Sequence, residues 1–211
     1  MATFKSLHTR LLKIPAPLLP PASPHDPTLT SEIASLQLHP TLETALHLLN
    51  LDLPSAHFLT RHMQSAPAFE GMYLHGILHR IEGDYDNARA WYSDVKESEV
   101  YSKLWGKGGQ TWKAWQEEHK NGGGRESLDD GQRFLDAVQK FKETQGRGGD
   151  GDKESLEEKS RGELDGVIEW CVNKFGTSKM VDASSAWVRP SDGIKKMGED
   201  QVSGDSGRRK F

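Results

Sequence analysis

The chain has 211 residues, of which 35% are hydrophobic, and its 31 acidic and 27 basic side chains leave a formal net charge of -4. That balance supplies no global field to draw in nucleic acid or an anionic membrane, and no apolar run approaches the roughly 20 residues that span a bilayer. A single cysteine, Cys171, excludes an internal disulfide framework and fits a reducing, cytoplasmic setting.

The first 25 residues carry Lys5, Arg10 and Lys13 and no acid, with Leu7, Leu11 and Leu12 spaced between them. This is similar in composition to a mitochondrial presequence, which makes organelle import the lesser alternative. Pro15, Pro17, Pro20, Pro21 and Pro24 end any helix early. The expectation is a flexible proline-rich arm over residues 1–27.

A helical domain is expected over residues 28–176. Thr30 or Ser31 suits the cap of a short helix through Leu38, and Pro40 suits the first turn of the next. Leu42, Ala45, Leu46 and Leu49 then recur at helical spacing. Pro54 opens another helix, whose buried stripe is Ala56, Leu59, Thr60 and Met63. Residues 70–81 are apolar on nearly every side, which predicts a helix sandwiched between neighbours. Gly83 ends it, and Asp84 caps a helix with Ala88, Trp91, Tyr92 and Val95 inward.

These two hairpins repeat at an offset of 32 residues: Leu42 matches Leu74, Leu46 matches Leu78, His47 matches His79, Asp52 matches Asp84 and Ala56 matches Ala88. Such a period signals stacked units that bury their faces against one another. Downstream, Leu104, Trp105, Trp112 and Trp115 precede a glycine-rich linker near 121–126. Ser127–Asp130 starts a helix carrying Phe134, Leu135, Val138 and Phe141. A second linker near 146–154 leads to the capping box Ser155–Glu158 and the stripe from Leu164 to Phe175, closed by Gly176. Residues 177–211 are expected to form a mobile tail, in which Trp187 and Val188 are able to dock. The basic lysines near the tryptophan cluster are offset by Glu117 and Glu118, which suits a core edge better than a nucleic-acid surface.

The second hairpin reads Met72-x2-His75-Gly76-x2-His79…Ala88-x3-Tyr92, which resembles the tetratricopeptide pattern Trp-x2-Leu-Gly-x2-Tyr…Ala-x3-Phe. The first hairpin follows it less closely, with Pro40, Glu43 and Thr44 at the Trp, Leu and Gly positions, and the offset is 32 rather than the family's roughly 34. The string from His75 to Trp91 also resembles a segment of uncharacterised fungal and bacterial proteins, a likeness that brings no activity with it. The resemblance implies an all-α fold of stacked antiparallel hairpins with additional C-terminal packing helices. It also implies an interaction or scaffold role with a protein or peptide partner.

Two packing positions of that pattern have become His75 and His79. They lie four apart, with Glu82 three further on, so all three project from neighbouring turns of one helix. Two histidines at this spacing can ligate one divalent metal ion, with His57, His62 or His47 as a third ligand. The competing readings are buried, hydrogen-bonded imidazoles, for which Glu70 and Glu82 are available carboxylates, and metal-free acid–base chemistry. The metal candidates are therefore His57, His75, His79 and Glu82. Arg80, Asp84, Asn87 and Arg89 form a second candidate group, for a small anion at a helix start. Their plain alternative is capping by Asp84 and Asn87, with the arginines paired to Glu82, Asp86 or Asp94.

Overall fold

A computed structural model describes residues 2–106, 129–146 and 150–188. Among the described residues the protein is all-α, with no strand. Its helices are α1 (Phe4–Leu11), α2 (Thr28–Ser35), α3 (Pro40–Leu49), α4 (Leu53–Thr60), α5 (Phe69–Glu82), α6 (Tyr85–Val95), α7 (Glu99–Trp105), α8 (Asp130–Glu143) and α9 (Asp150–Phe175). None of these is long and apolar enough to cross a membrane. Trp112, Trp115 and the expected linker 121–126 lie outside the described residues.

Successive helices α3 to α6 pack neighbour on neighbour, and α9 lies along α3, α7 and α8. Local chemistry sets most boundaries. His39 caps α3 ahead of Pro40, Asp52 caps α4 by accepting from Ser55 N, and Asp84 caps α6 by accepting from Asn87 N. Gly83 at φ 81 and Gly176 at φ 71 take the left-handed conformation that ends α5 and α9. Every residue from Glu70 to Ile81 is buried, as expected for a helix with almost no polar face. Leu74, Ile77, Leu78 and Ile81 are all fully buried. Each contributes about 1.5–3 kcal/mol relative to exposure.

Three expectations need correction. Residues 2–27 are not a loose arm: a Thr3–Ser6 capping box starts α1, and Leu7, Leu11, Ile14, Ala16 and Leu18 are buried. Ala16 and Leu18 enter the core from the proline-rich segment that follows α1, and Asn50 pins the end of that segment by exchanging hydrogen bonds with Asp26. The second linker is shorter than expected, because α9 starts at Asp150 and places Ser155–Glu158 inside the helix. The chain beyond α9 is also docked as far as Val188, whose N–H donates to His62 O at 2.9 Å, while Met180 N–H donates to Gln37 O at 2.6 Å.

One buried polar network joins the elements. Arg80 and Glu163 are both 0% exposed and pair at 2.9 Å. Arg80 also donates to Pro17 O and Ser160 Oγ, and its guanidinium lies 4.9 Å from the centre of the Phe134 ring. The other Glu163 oxygen accepts from the hydroxyls of Tyr73 at 2.7 Å and Tyr92 at 2.5 Å, and Trp105 Nε1 donates to Tyr73 Oη. Burial first, and the Glu163 charge second, push both phenols well above their ordinary range, so they remain donors. Farther along α9, Trp170 and Lys174 hold Glu70 at the start of α5.

Removing one member of the buried pair strands the other. Arg80→Met should cost about 3–5 kcal/mol in urea unfolding, and Arg80→Met combined with Glu163→Leu should recover part of that loss. A double variant as unstable as the sum of the singles would show that the stranded charge is not the cause.

His39 offers a pH test. Its ring stacks on Phe175 at 3.7 Å, and burial lowers its pKa from 6.5 to about 4, with Glu70 opposing and Lys174 reinforcing the shift. The unfolded chain therefore binds a proton that the folded chain refuses. The contribution of His39 to stability is complete above pH 6.5 and is lost as pH falls toward about 4. His39→Asn keeps a capping acceptor without this titration, so its urea midpoint should fall less steeply across that window than the parent's. Parallel slopes would sink the assignment.

Candidate metal centre

The helices that carry the histidines are placed by ordinary rules. Asp52 and Pro54 start α4, so His57 projects from its second turn toward α5. His75 and His79 lie one turn apart on α5, with ring centroids 4.7 Å apart and 22° between planes. Gly76 lets α6 approach closely between them: a Cβ there would lie 2.8 Å from Tyr92 Cδ1 and 3.0 Å from Trp91 Cβ. That approach stacks Trp91 on His75 at 4.6 Å.

The structure brings together three of the four metal candidates. His57 lies 5.1 Å from the His75 ring and 5.6 Å from the His79 ring. One nitrogen from each of the three imidazoles falls within 4.8 Å of the others. His75 and His79 are 2% and 7% exposed, while His57 is half-buried. Burial, then the nearby Arg61 charge, lowers the His57 pKa. This favours the neutral imidazole, the form that ligates a metal.

Glu82 sits elsewhere in the arrangement. Its Oε2 faces His79 Nδ1 at 2.9 Å, the position of a carboxylate that orients a ligating histidine rather than one that binds the ion. Asn87 Nδ2 lies 3.3 Å from His79 Nε2. His62 turns away, its Nδ1 on Phe58 O and its ring against Trp187. Glu70, the other carboxylate expected near these histidines, is occupied by Trp170 and Lys174.

The candidate anion group does not converge. Arg80 is sealed in the interior on Glu163 rather than paired with Glu82, Asp86 or Asp94, so it offers no donor to a ligand from solvent. Arg89 reaches across to α8, donating to Asp136 at 2.6 Å and to Gln139, with Asp86 at 3.4 Å. Asp84 caps α6, and Asn87 serves both that first turn and His79. Cys171 is fully buried and its thiol is pushed up to about 12, chiefly by burial, which leaves it a packing residue.

Glu163 and Ser160 escaped the sequence reading. Their only advance signal is a carboxylate and a hydroxyl at apolar-facing positions of α9, one and four residues before Leu164. Comparison of the chain with protein-family models, with curated proteins and with solved structures gives no match.

Proposed function

We propose that the protein binds a divalent metal ion through His57, His75 and His79, with Glu82 orienting His79. The observation that carries this reading is the meeting of three imidazole nitrogens from two helices within 4.8 Å. Three imidazoles suit zinc and neighbouring first-row metals, not calcium or magnesium, which prefer oxygen. Three protein ligands also leave one position of a tetrahedral site for water or a further ligand. That is the pattern of zinc sites that activate water rather than of closed structural sites. His57 contributes from a different helix, so an ion would join α4 to α5.

A second reading, a tetratricopeptide-like scaffold with a protein or peptide partner, has its own support. The two interhelical turns share their detail at the 32-residue offset. Leu51 and Gly83 both take positive φ, at 59° and 81°. Asp52 N and Asp84 N each donate at 2.9 Å, to His47 O and His79 O, and each aspartate then caps the next helix. A partner inferred from this likeness rests on analogy of fold. The metal reading rests on a specific set of side chains and is preferred.

Untagged protein, stripped of metal and then dialysed against limiting zinc, should retain about one equivalent by elemental analysis. A hundredfold excess of zinc over its Kd should add about 2.7 kcal/mol to unfolding. Glu82→Gln should weaken binding by about 10- to 100-fold, and His75→Ala or His79→Ala by more. Retention well below one equivalent, or binding that survives loss of both histidines, would overturn the assignment.

A further inference from the structure

The chemistry of His79 carries a further step, which rests on the metal reading and concerns its control. We infer that the side-chain amide of Asn87 occupies the metal-binding nitrogen of His79 in the metal-free protein, and that an ion gains this ligand by displacing it.

The argument follows from donors and acceptors. Glu82 Oε2 lies 2.9 Å from His79 Nδ1, and a carboxylate only accepts, so Nδ1 carries the proton. In the neutral ring this leaves a lone pair on Nε2. Asn87 Nδ2 stands 3.3 Å from that atom, and an amide nitrogen only donates, so the assignments of both partners agree. Nε2 is also the nitrogen left for an ion, because Nδ1 is committed to Glu82. Asn87 and the ion therefore compete for one lone pair.

The rest of Asn87 need not move. Its backbone N–H is held by Asp84 Oδ1 at 3.3 Å in the first turn of α6, so breaking the contact with His79 requires only rotation about the side-chain torsions. The amide thus keeps the metal-free site satisfied, since an imidazole nitrogen buried without a partner is costly, and sets a modest threshold for metal entry. A net hydrogen bond of ordinary strength corresponds to about a two- to tenfold effect on affinity.

The test combines zinc titration with nitrogen NMR on the full chain. Asn87→Ala should bind zinc about two- to tenfold more tightly than the parent, measured against a chromophoric chelator. In the parent, His79 should appear as the Nδ1–H tautomer, and zinc should shift the Asn87 side-chain amide signals together with His79 Nε2. Parent protein that binds zinc while Asn87→Ala binds it equally or more weakly would overturn the displacement and leave the metal site standing. An Nε2–H tautomer, or Asn87 amide signals unmoved by bound zinc, would do the same even if the variant failed to fold. Parent protein that takes up no zinc would instead overturn the metal reading itself.

Discussion

A guanidinium and a carboxylate with no solvent contact cannot be left unpaired, and Arg80 with Glu163 imposes that condition on most of this fold. Their partners come from the N-terminal segment through Pro17 O, from α5 through Tyr73, from α6 through Tyr92 and from α9 through Ser160. Separating two buried charges is far more costly than the net gain of pairing them. The consequence is directional: these segments satisfy the charges only when all are docked in one register. The proline-rich segment is thereby structural, since it supplies a carbonyl that Arg80 and Ser160 share.

The same helix that carries Arg80 carries the histidines, and helical geometry keeps the two apart. At about 100° per residue, Tyr73 and Arg80 fall on one side of α5, with His75, His79 and Glu82 on the opposite side. Helix α6 divides its labour likewise, with Tyr92 bonded to Glu163 and its neighbour Trp91 stacked on His75. Gly76 permits both contacts by letting the helices approach more closely than any side chain would allow. The ion-pair network thus anchors one face of α5 while the histidines occupy the other.

The two interhelical turns at Leu51–Asp52 and Gly83–Asp84 have similar hydrogen bonding but different histidine surroundings. His47 and His79 each accept a backbone hydrogen bond from the aspartate five residues on, yet His47 lies between Asp52 at 3.2 Å and Glu43 at 3.8 Å. Four residues before His47 stands Glu43, and four before His79 stands His75. His47 therefore has carboxylates on both ring nitrogens, whereas His79 has Glu82 on one and Asn87 on the other, with the His75 ring beside it. His57 on α4 joins His75 and His79 in one cluster. The cluster therefore forms where α4 packs on α5 and does not lie within one helix.

Within single helices the sequence settled much by itself. The apolar spacing of α3 to α6, the Asp52 and Asp84 caps, the stop at Gly83 and the one-turn separation of His75 and His79 all depend on neighbours within a few residues, where helical geometry is local. Ser155–Glu158 has the spacing of a capping box but lies inside α9, which starts at Asp150. Partners across the chain were beyond such reasoning. Arg80 has three acidic residues close by in sequence, but meets Glu163, 83 residues away, because α5 turns it inward and α9 lies over it. His57 joins His75 and His79, while the equally eligible His62 and His47 do not, because only the packing of α4 on α5 decides which imidazoles share a space. Periodicity determines which face of a helix a residue occupies; docking alone determines what that face meets.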